Sequence, residues 1–466
     1  MNKLTDWNLD PLLVSSPGEW YNLAANLADL ASKKPRSCFA IQCKEETSIV
    51  NNAPPSRKHN NPIPELVAPA GDLERLQAAV KYGASAVYMG TGGFDLRAFA
   101  PGFTPTELRE GIRLAHEAGV KVYLTFNLLA HNRHLEEAGR ELEKLEALAP
   151  DAIILADAGL WSLAREVVPH LPVHLSTQAA ATNWRNVKFW SDIGVKRVNL
   201  SRELTLEEIR EIREKVDTEL EIFVHGAMCV AYSGRCLLSA YFTGRGANRG
   251  ECTQPCRWSY ELYEQSRPRD PLLVAESREG SFILSSRDLC MIRHIPALVE
   301  SGVQGLKIEG RMKSVHYVAT VTRTYREALD RYCAEPAGYT ADPAWEAELQ
   351  KVSHRPYHTG FYFGRPEQVD PADQRSYLGN CELAALVLTY EKDSGMAVVE
   401  QRNRFAVGDL LEIMGPKKEP HPFRVQQIFD EQGRALAAAP HPRQILRLPV
   451  EQELSYLDMI RRYVTD

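Results

Sequence analysis

The stretch ELVAPAGDLERLQAAVKYGASAVYMGT (65–91) holds two short apolar runs, ELVAPA (65–70) and AVYMGT (86–91), around an amphipathic segment, ERLQAAVKYG (74–83). Apolar runs of five or six residues bounded by Gly read as buried strands, and apolar positions spaced by three and four read as a helix packed on them. The unit recurs. VKVYLTF (120–126), AIILAD (152–157), PVHLST (172–177), RVNLS (197–201), EIFVHG (221–226) and GLKIEG (305–310) are further strand-like runs, with helix-like segments such as TELREGIRLAHEAG and TLEEIREIREKV between them. Eight strands alternating with helices predict an α/β fold, a (β/α)8 TIM-like barrel. An open doubly wound sheet is the alternative, and eight repeats favour closure.

A barrel of this kind carries its active groups at the C-terminal ends of the strands and in the loops that follow. Between the seventh and eighth runs lie about eighty residues, against the usual two to six of such a loop. This insertion carries Cys229, Cys236, Cys252, Cys256 and Cys290, five of the nine cysteines. Thiols gathered behind a strand in a reducing compartment are more often metal ligands or reactive groups than disulfide partners. Cys252 and Cys256 have the spacing of a zinc pair, whereas the C-x6-C of Cys229 and Cys236 is too wide for one. Wide, irregular spacing suits an iron–sulfur cluster, whose corners are reached from separate loops. Ordinary buried thiols are the third reading, and the preferred one for Cys38, Cys43, Cys333 and Cys381.

Polar groups at the other strand ends are expected to face the same mouth. They are Arg97, Asn127, Gln178, Arg202, Glu203, His225, Glu309 and Arg311. Each has a plainer use as a helix cap or a partner for loop backbone. Residues 229–257 also hold Arg235, Arg245, Arg249 and Arg257 against Glu251 alone, a local basic face suited to phosphates or to balancing thiolate charge.

The string E-x-F-x-x-G-A-M-C-x4-G-x-C-x-L-S is met by Glu221, Phe223, Gly226, Cys229, Gly234, Cys236 and Ser239. It resembles the signature of the U-32 peptidase, or collagenase-like, family. The segments around Cys252 and Cys256, Ser286–Cys290, Leu306–Arg311 and Glu65–Gly71 are similar to the same family. Chain length and a short C-terminal domain most resemble the branch that makes 5-hydroxyuridine at the wobble position of tRNA in a prephenate-dependent pathway. Other branches hydroxylate ribosomal RNA or ubiquinone precursors. The resemblance implies a 4Fe-4S cluster on Cys229, Cys236, Cys252 and Cys290, with Cys256 as the rival fourth ligand. It further implies tRNA as partner and prephenate or a related small acid as co-substrate, while the strand-end reading makes Arg311, Glu309 and His225 the catalytic candidates. Arg97, Asn127, Gln178, Arg245 and Arg249 would then bind substrate. The family name also raises peptidase chemistry. H-E-x-x-H and G-x-S-x-G are absent, and Cys229 four residues after His225 is the one thiol–imidazole candidate, which needs a free thiol.

At 466 residues the chain exceeds what one core usually serves. The expected division is an N-terminal extension and linker (1–62), the barrel (63–335), a connector (336–377) and a small C-terminal β-barrel domain (378–466). The last rests on Val-rich runs such as ELAALVLTYE and GMAVVEQ, cut by Gly, Asp and Pro turns. With 44% apolar and 25% charged residues the composition is that of an ordinary globular protein. The absence of an eighteen-residue apolar run excludes a membrane helix. The acidic N-terminus does not read as a secretory signal, and an odd cysteine count argues against a disulfide framework, so a cytoplasmic setting is expected. A net charge of −6 excludes nonspecific coating of nucleic acid but leaves room for a local basic face.

Overall fold

The structure is a computed structural model that describes residues 63–95, 102–229, 231–258, 276–277, 280–281, 287–364 and 378–464. The N-terminal extension lies outside the described residues.

Eight parallel strands follow the eight apolar runs: β1 (Glu65–Ala70), β2 (Ala86–Gly90), β3 (Lys121–Thr125), β4 (Ala152–Leu155), β5 (Val173–Leu175), β6 (Arg197–Asn199), β7 (Glu219–Ala227) and β8 (Gly305–Ile308). Each pairs with the next, and β8 pairs with both β7 and β1, so the sheet closes into a barrel. Helices start where a capping side chain follows a strand. Asp72 caps α1 (Leu73–Lys81), Thr104 and Glu107 form a capping box at α2 (Pro105–Glu117), and α3 (Leu135–Glu146) follows. Asp157 caps α4 (Ala158–Val167), Asn183 caps α5 (Trp184–Asp192), and Thr205 with Glu208 boxes α6 (Leu206–Lys215).

Alternation sorts the strand residues between two faces. Leu66, Ala68, Val87, Met89, Val122, Leu124, Ile153 and Leu155 join the large apolar core under the helices. Their neighbours Val67, Ala86, Tyr88, Tyr123, Ala152 and Ile154 form a separate small cluster inside the barrel. The rest of the lumen is ionic. Glu221 accepts from Lys307 Nζ at 2.8 Å and from Asn199 Nδ2 at 3.0 Å, and Arg197 reaches Glu65 at 2.7 Å and Glu221 at 3.4 Å. Tyr123 donates to Glu65 at 2.6 Å, while the Arg197 guanidinium lies 5.4 Å from the Tyr123 ring centre and the Lys307 ammonium 4.5 Å from that of Tyr88.

The C-terminal part is the antiparallel domain expected from its alternating runs. Its main strands are β9 (Cys381–Glu391), β10 (Met396–Gln401), β11 (Leu410–Gly415), β12 (Lys418–Arg424), β13 (Ile445–Pro449) and β14 (Met459–Tyr463), with their own apolar core. It docks on α1 and on the long helix after β8, Val315–Ala334, through a shared cluster of Ala78, Tyr82, Val315, Ala319, Leu383, Leu386, Met414, Leu457 and Met459. Beside that cluster the fully buried Arg461 pairs with Glu348 at 2.6 Å and with Glu412, and Lys351 reaches the same two carboxylates. Burial raises the Glu348 carboxyl, but Arg461 and Lys351 more than reverse this and hold it at about 2. Among the described residues no helix is long and apolar enough to cross a membrane.

Burial alone would raise the carboxyls of Glu65 and Glu221, yet Arg197, with Lys307 at Glu221 and Lys121 at Glu65, holds both below the ordinary range. A folded-state pKa below the unfolded value of about 4.3 stabilises fully above that pH, and the contribution is lost as pH falls through the folded values. Glu221→Gln is therefore expected to lose about 3 kcal/mol or more at pH 7, because it strands the buried Lys307 and takes one counter-charge from Arg197, which keeps Glu65 and Glu219. In thermal melts across pH 7 to 3, the variant is expected to lose less stability with acid than the parent does.

Candidate active site at the barrel mouth

Arg311, two residues beyond Glu309 at the end of β8, is 3% exposed. Its guanidinium pairs with Asp95 at 2.6 Å and donates to Thr125 Oγ1 at 2.7 Å, tying the loop after β2 and the end of β3 to the segment after β8. Two glycines make the room. A Cβ at Gly90 would collide with Asp95 and crowd Arg311, and one at Gly71 would collide with the Arg311 carbonyl oxygen.

A second pair sits beside the first. Arg202, after β6, holds Glu309 at 3.0 Å and lies 3.7 Å from the Phe223 ring centre. The next residue, Glu203, accepts the Ser233 N–H at 3.2 Å. Around these groups Ser201 Oγ, Arg202 Nε, Glu203 Oε2 and Ser233 Oγ are buried with no hydrogen-bond partner among the described residues. A dry orphan of this kind costs about 1–3 kcal/mol, so four together mark a place for a polar ligand or its water. Donors and an acceptor are both represented, as recognition of a heterocycle or a carboxylate requires.

The insertion lies over this floor. β7 outruns its barrel partners, and at Gly226 and Ala227 it pairs antiparallel with a short strand, Asp288–Cys290, on which the insertion returns. Gly234 sits at φ +75° directly on the β5 loop, where a Cβ would collide with the Gln178 carbonyl. Leu129, in the β3 loop, donates its N–H to the Asn248 carbonyl at 3.3 Å, and Asn248 Nδ2 donates to the Cys236 carbonyl at 3.3 Å. Ser239 accepts the Thr253 N–H at 3.1 Å and donates to the Glu251 carbonyl at 3.3 Å, which holds the Cys252 backbone near the turn that bears Cys236.

The seven described cysteines carry free thiols. Cys229 is exposed, while Cys236, Cys252 and Cys256 are half-buried on the roof. Cys290 lies opposite His225 in the strand register and within reach of the Tyr325 hydroxyl, and burial pushes its thiol up to about 12. The donor chemistry fits zinc or an iron–sulfur cluster. Among the described residues no three His, Cys, Asp or Glu side chains gather as a metal site.

His225 is at the end of β7, as the sequence places it, but its ring does not join the mouth. The ladder shifts between Lys307 and Ile308, so Val224 is an extra residue and His225 opposes the outward-facing Ile308. The ring packs among Tyr317, Tyr325 and Tyr357, with the last two hydroxyls 3.5 Å from its nitrogens. Burial lowers its pKa to about 3, so it is neutral near pH 7. Asn127 Nδ2 meets Ser176 Oγ at 3.3 Å, and the Gln178 N–H donates to the same oxygen, so both stand at the mouth. Arg245 is exposed on the roof. Arg97 and the side chain of Arg249 lie outside the described residues. The sequence reading missed Asp95, Thr125 and Ser233. Asp95 carried a usable signal, being an acid at the end of the second run able to answer the arginine of LKIEGR.

Residues 71–371 match peptidase family U32 and residues 379–461 match the peptidase family U32 C-terminal domain. The chain is 43% identical over 404 residues to "tRNA hydroxylation protein P1" of Bacillus subtilis strain 168, covering 86% of this chain and 94% of that one. It is 37% identical over 450 residues to "tRNA hydroxylation protein P" of Escherichia coli strain K12, covering 86% and 97%. It is also 31% identical over 415 residues to a "Collagenase" of Porphyromonas gingivalis, covering 86% and 97%.

Gly234→Ala combines a positive φ with a backbone collision, so it is expected to lift the roof from the β5 loop and leave the barrel folded. Alkylation of Cys236 is expected to accelerate by about tenfold, the equivalent of about 1.4 kcal/mol of lost docking, with the melting temperature of the barrel little changed. Timed thiol labelling with peptide mass spectrometry measures this.

Proposed function

The chain belongs to peptidase family U32, and from that premise we propose that it is an enzyme that hydroxylates tRNA. One observation carries the reading: a thiol- and arginine-bearing roof lies over a barrel mouth that holds two buried Arg–carboxylate pairs and four unpartnered polar atoms. The finer reading is conversion of the wobble uridine to 5-hydroxyuridine in the cytoplasm, with prephenate as co-substrate.

The floor would receive the base. A uracil edge offers acceptors at its carbonyl oxygens and a donor at N3, which the Arg202 Nε–H and the Glu203 carboxylate answer in kind. Glu309 and Arg311 are the proposed acting groups, and their ion-pair partners Arg202 and Asp95 fix their orientation. Asn127 and Gln178 line the approach, and Arg245 with Arg249 and Arg97 would meet phosphate or the carboxylates of prephenate. His225 supports the strand behind Cys290 instead of touching substrate.

Cys229, Cys236, Cys252 and Cys290 are proposed to hold a 4Fe-4S cluster, which supplies redox capacity when bound. Its support is the thiol chemistry and the family likeness. The collagenase relative raises hydrolysis as a rival. A thiol peptidase needs a nucleophile beside its base, and here the nitrogens of His225 face tyrosine hydroxyls.

Protein purified without oxygen is expected to contain about four irons with matching acid-labile sulfide. Zinc alone would remove the cluster from the reading. In cells lacking the native gene, nucleoside mass spectrometry of tRNA is expected to show 5-hydroxyuridine restored by this chain. Glu309→Gln is expected to reduce the rate of its formation by about 10²-fold or more. Full restoration by that variant would remove Glu309 from the chemistry.

A further inference from the structure

The insertion exposes apolar side chains on the roof that neither the barrel nor the C-terminal domain covers. Helix α7 (Leu238–Thr243) follows Cys236, and Leu237 at its start is 72% exposed while Tyr241 is 84% exposed. The Tyr241 N–H donates to the Leu237 carbonyl, so the two side chains stand one turn apart on the same face. Phe242 packs edge-on against Tyr241, with ring centres 5.3 Å apart, and is also exposed. The turn Pro255–Arg257 packs against α7 and presents an exposed Trp258. Single exposed apolar residues are ordinary, but three exposed aromatic rings and a leucine on a short helix and beside the turn packed against it mark an interaction surface.

Charge decides what covers it. The chain as a whole is acidic, at −6, yet residues 229–257 hold four arginines and one acid. That acid, Glu251, accepts the Gly246 N–H at 3.1 Å, and Arg235 and Arg245 are exposed. A second copy of the same face would bring like charges together. A polyanion with flat apolar faces is complementary to it, and single-stranded RNA is such a partner.

We infer that Tyr241, Phe242 and Trp258, with Leu237 as an apolar wedge, form a stacking platform for unpaired bases of an RNA loop, with Arg235 and Arg245 on the flanking phosphates. The inference rests on the tRNA reading above and adds the surface that holds the loop. The platform shares its segment with Gly234 and Asn248, which touch the β5 and β3 loops, so stacked bases lie beside the mouth. A neighbouring base held there leaves one nucleotide to turn inward.

The test is fluorescence polarisation with a labelled tRNA transcript bearing a wobble uridine and with its anticodon stem-loop, using the full chain. Tyr241→Ala with Trp258→Ala is expected to weaken both by roughly 30-fold or more, at several-fold to a hundredfold per lost stack, with an unchanged melting curve. Tyr241→Phe is expected to bind as the parent does. Arg245→Ala is expected to lower the slope of log affinity against log salt by about one. Equal binding by parent and double variant would overturn the platform and leave the tRNA reading intact. So would a double variant that binds tRNA normally but loses a dimer in sedimentation, which would hand the face to a second copy. A parent chain that binds no tRNA would overturn both together.

Discussion

Glu221 is the residue on which the barrel turns. It sits on β7 and is shared by Lys307 of β8 and Arg197 of β6, and through Arg197 it is linked to Glu65 of β1 and Tyr123 of β3. A lumen filled this way differs from one filled by branched aliphatic layers. Apolar packing is indifferent to direction, whereas each of these charges must find its own counter-charge when desolvated. The network therefore fixes which strands meet across the interior, including the β7–β8 seam around the long insertion. Buried charges of this kind are weak evidence for stability and better evidence for specificity, since any other closure strands a cation.

The same strand then organises the site. Its lower half belongs to the barrel, and its bulge turns His225 outward among tyrosines. Its tip carries both ends of the insertion. The mouth below is held by Arg311 and Arg202, each neutralised by a carboxylate, so what it offers a ligand is mainly hydrogen-bonding capacity at atoms those pairs leave free. The fold thus separates two demands: a rigid polar floor beneath, and a basic, aromatic roof above.

Much of the fold was legible because strands buried on both sides must be apolar, and helices that cover them must be amphipathic. The length of the β7–β8 gap made the insertion equally plain. What escaped was anything set by pairing in space. A bulge leaves no trace in the periodicity of EIFVHG, so His225 was expected at the mouth. Arg197 and Lys307 look like ordinary strand charges until Glu65 and Glu221 are seen beside them. Asp95 was passed over because its partner lies more than two hundred residues away in the chain.

The return of the insertion onto the strand it left also sets what can vary over evolutionary time. Asp288 stands opposite Ala227, so some sixty residues begin and end one strand spacing apart. A closed excursion of this form is a detachable module. Doubling its length adds only about 0.6 kcal/mol of closure entropy, and none of its residues is needed to complete the barrel ladder. Lineages sharing this barrel can rewrite the excursion, lengthening it, recharging it or exchanging its rings, without refolding what lies beneath. One barrel floor can in that way lie beneath different roofs.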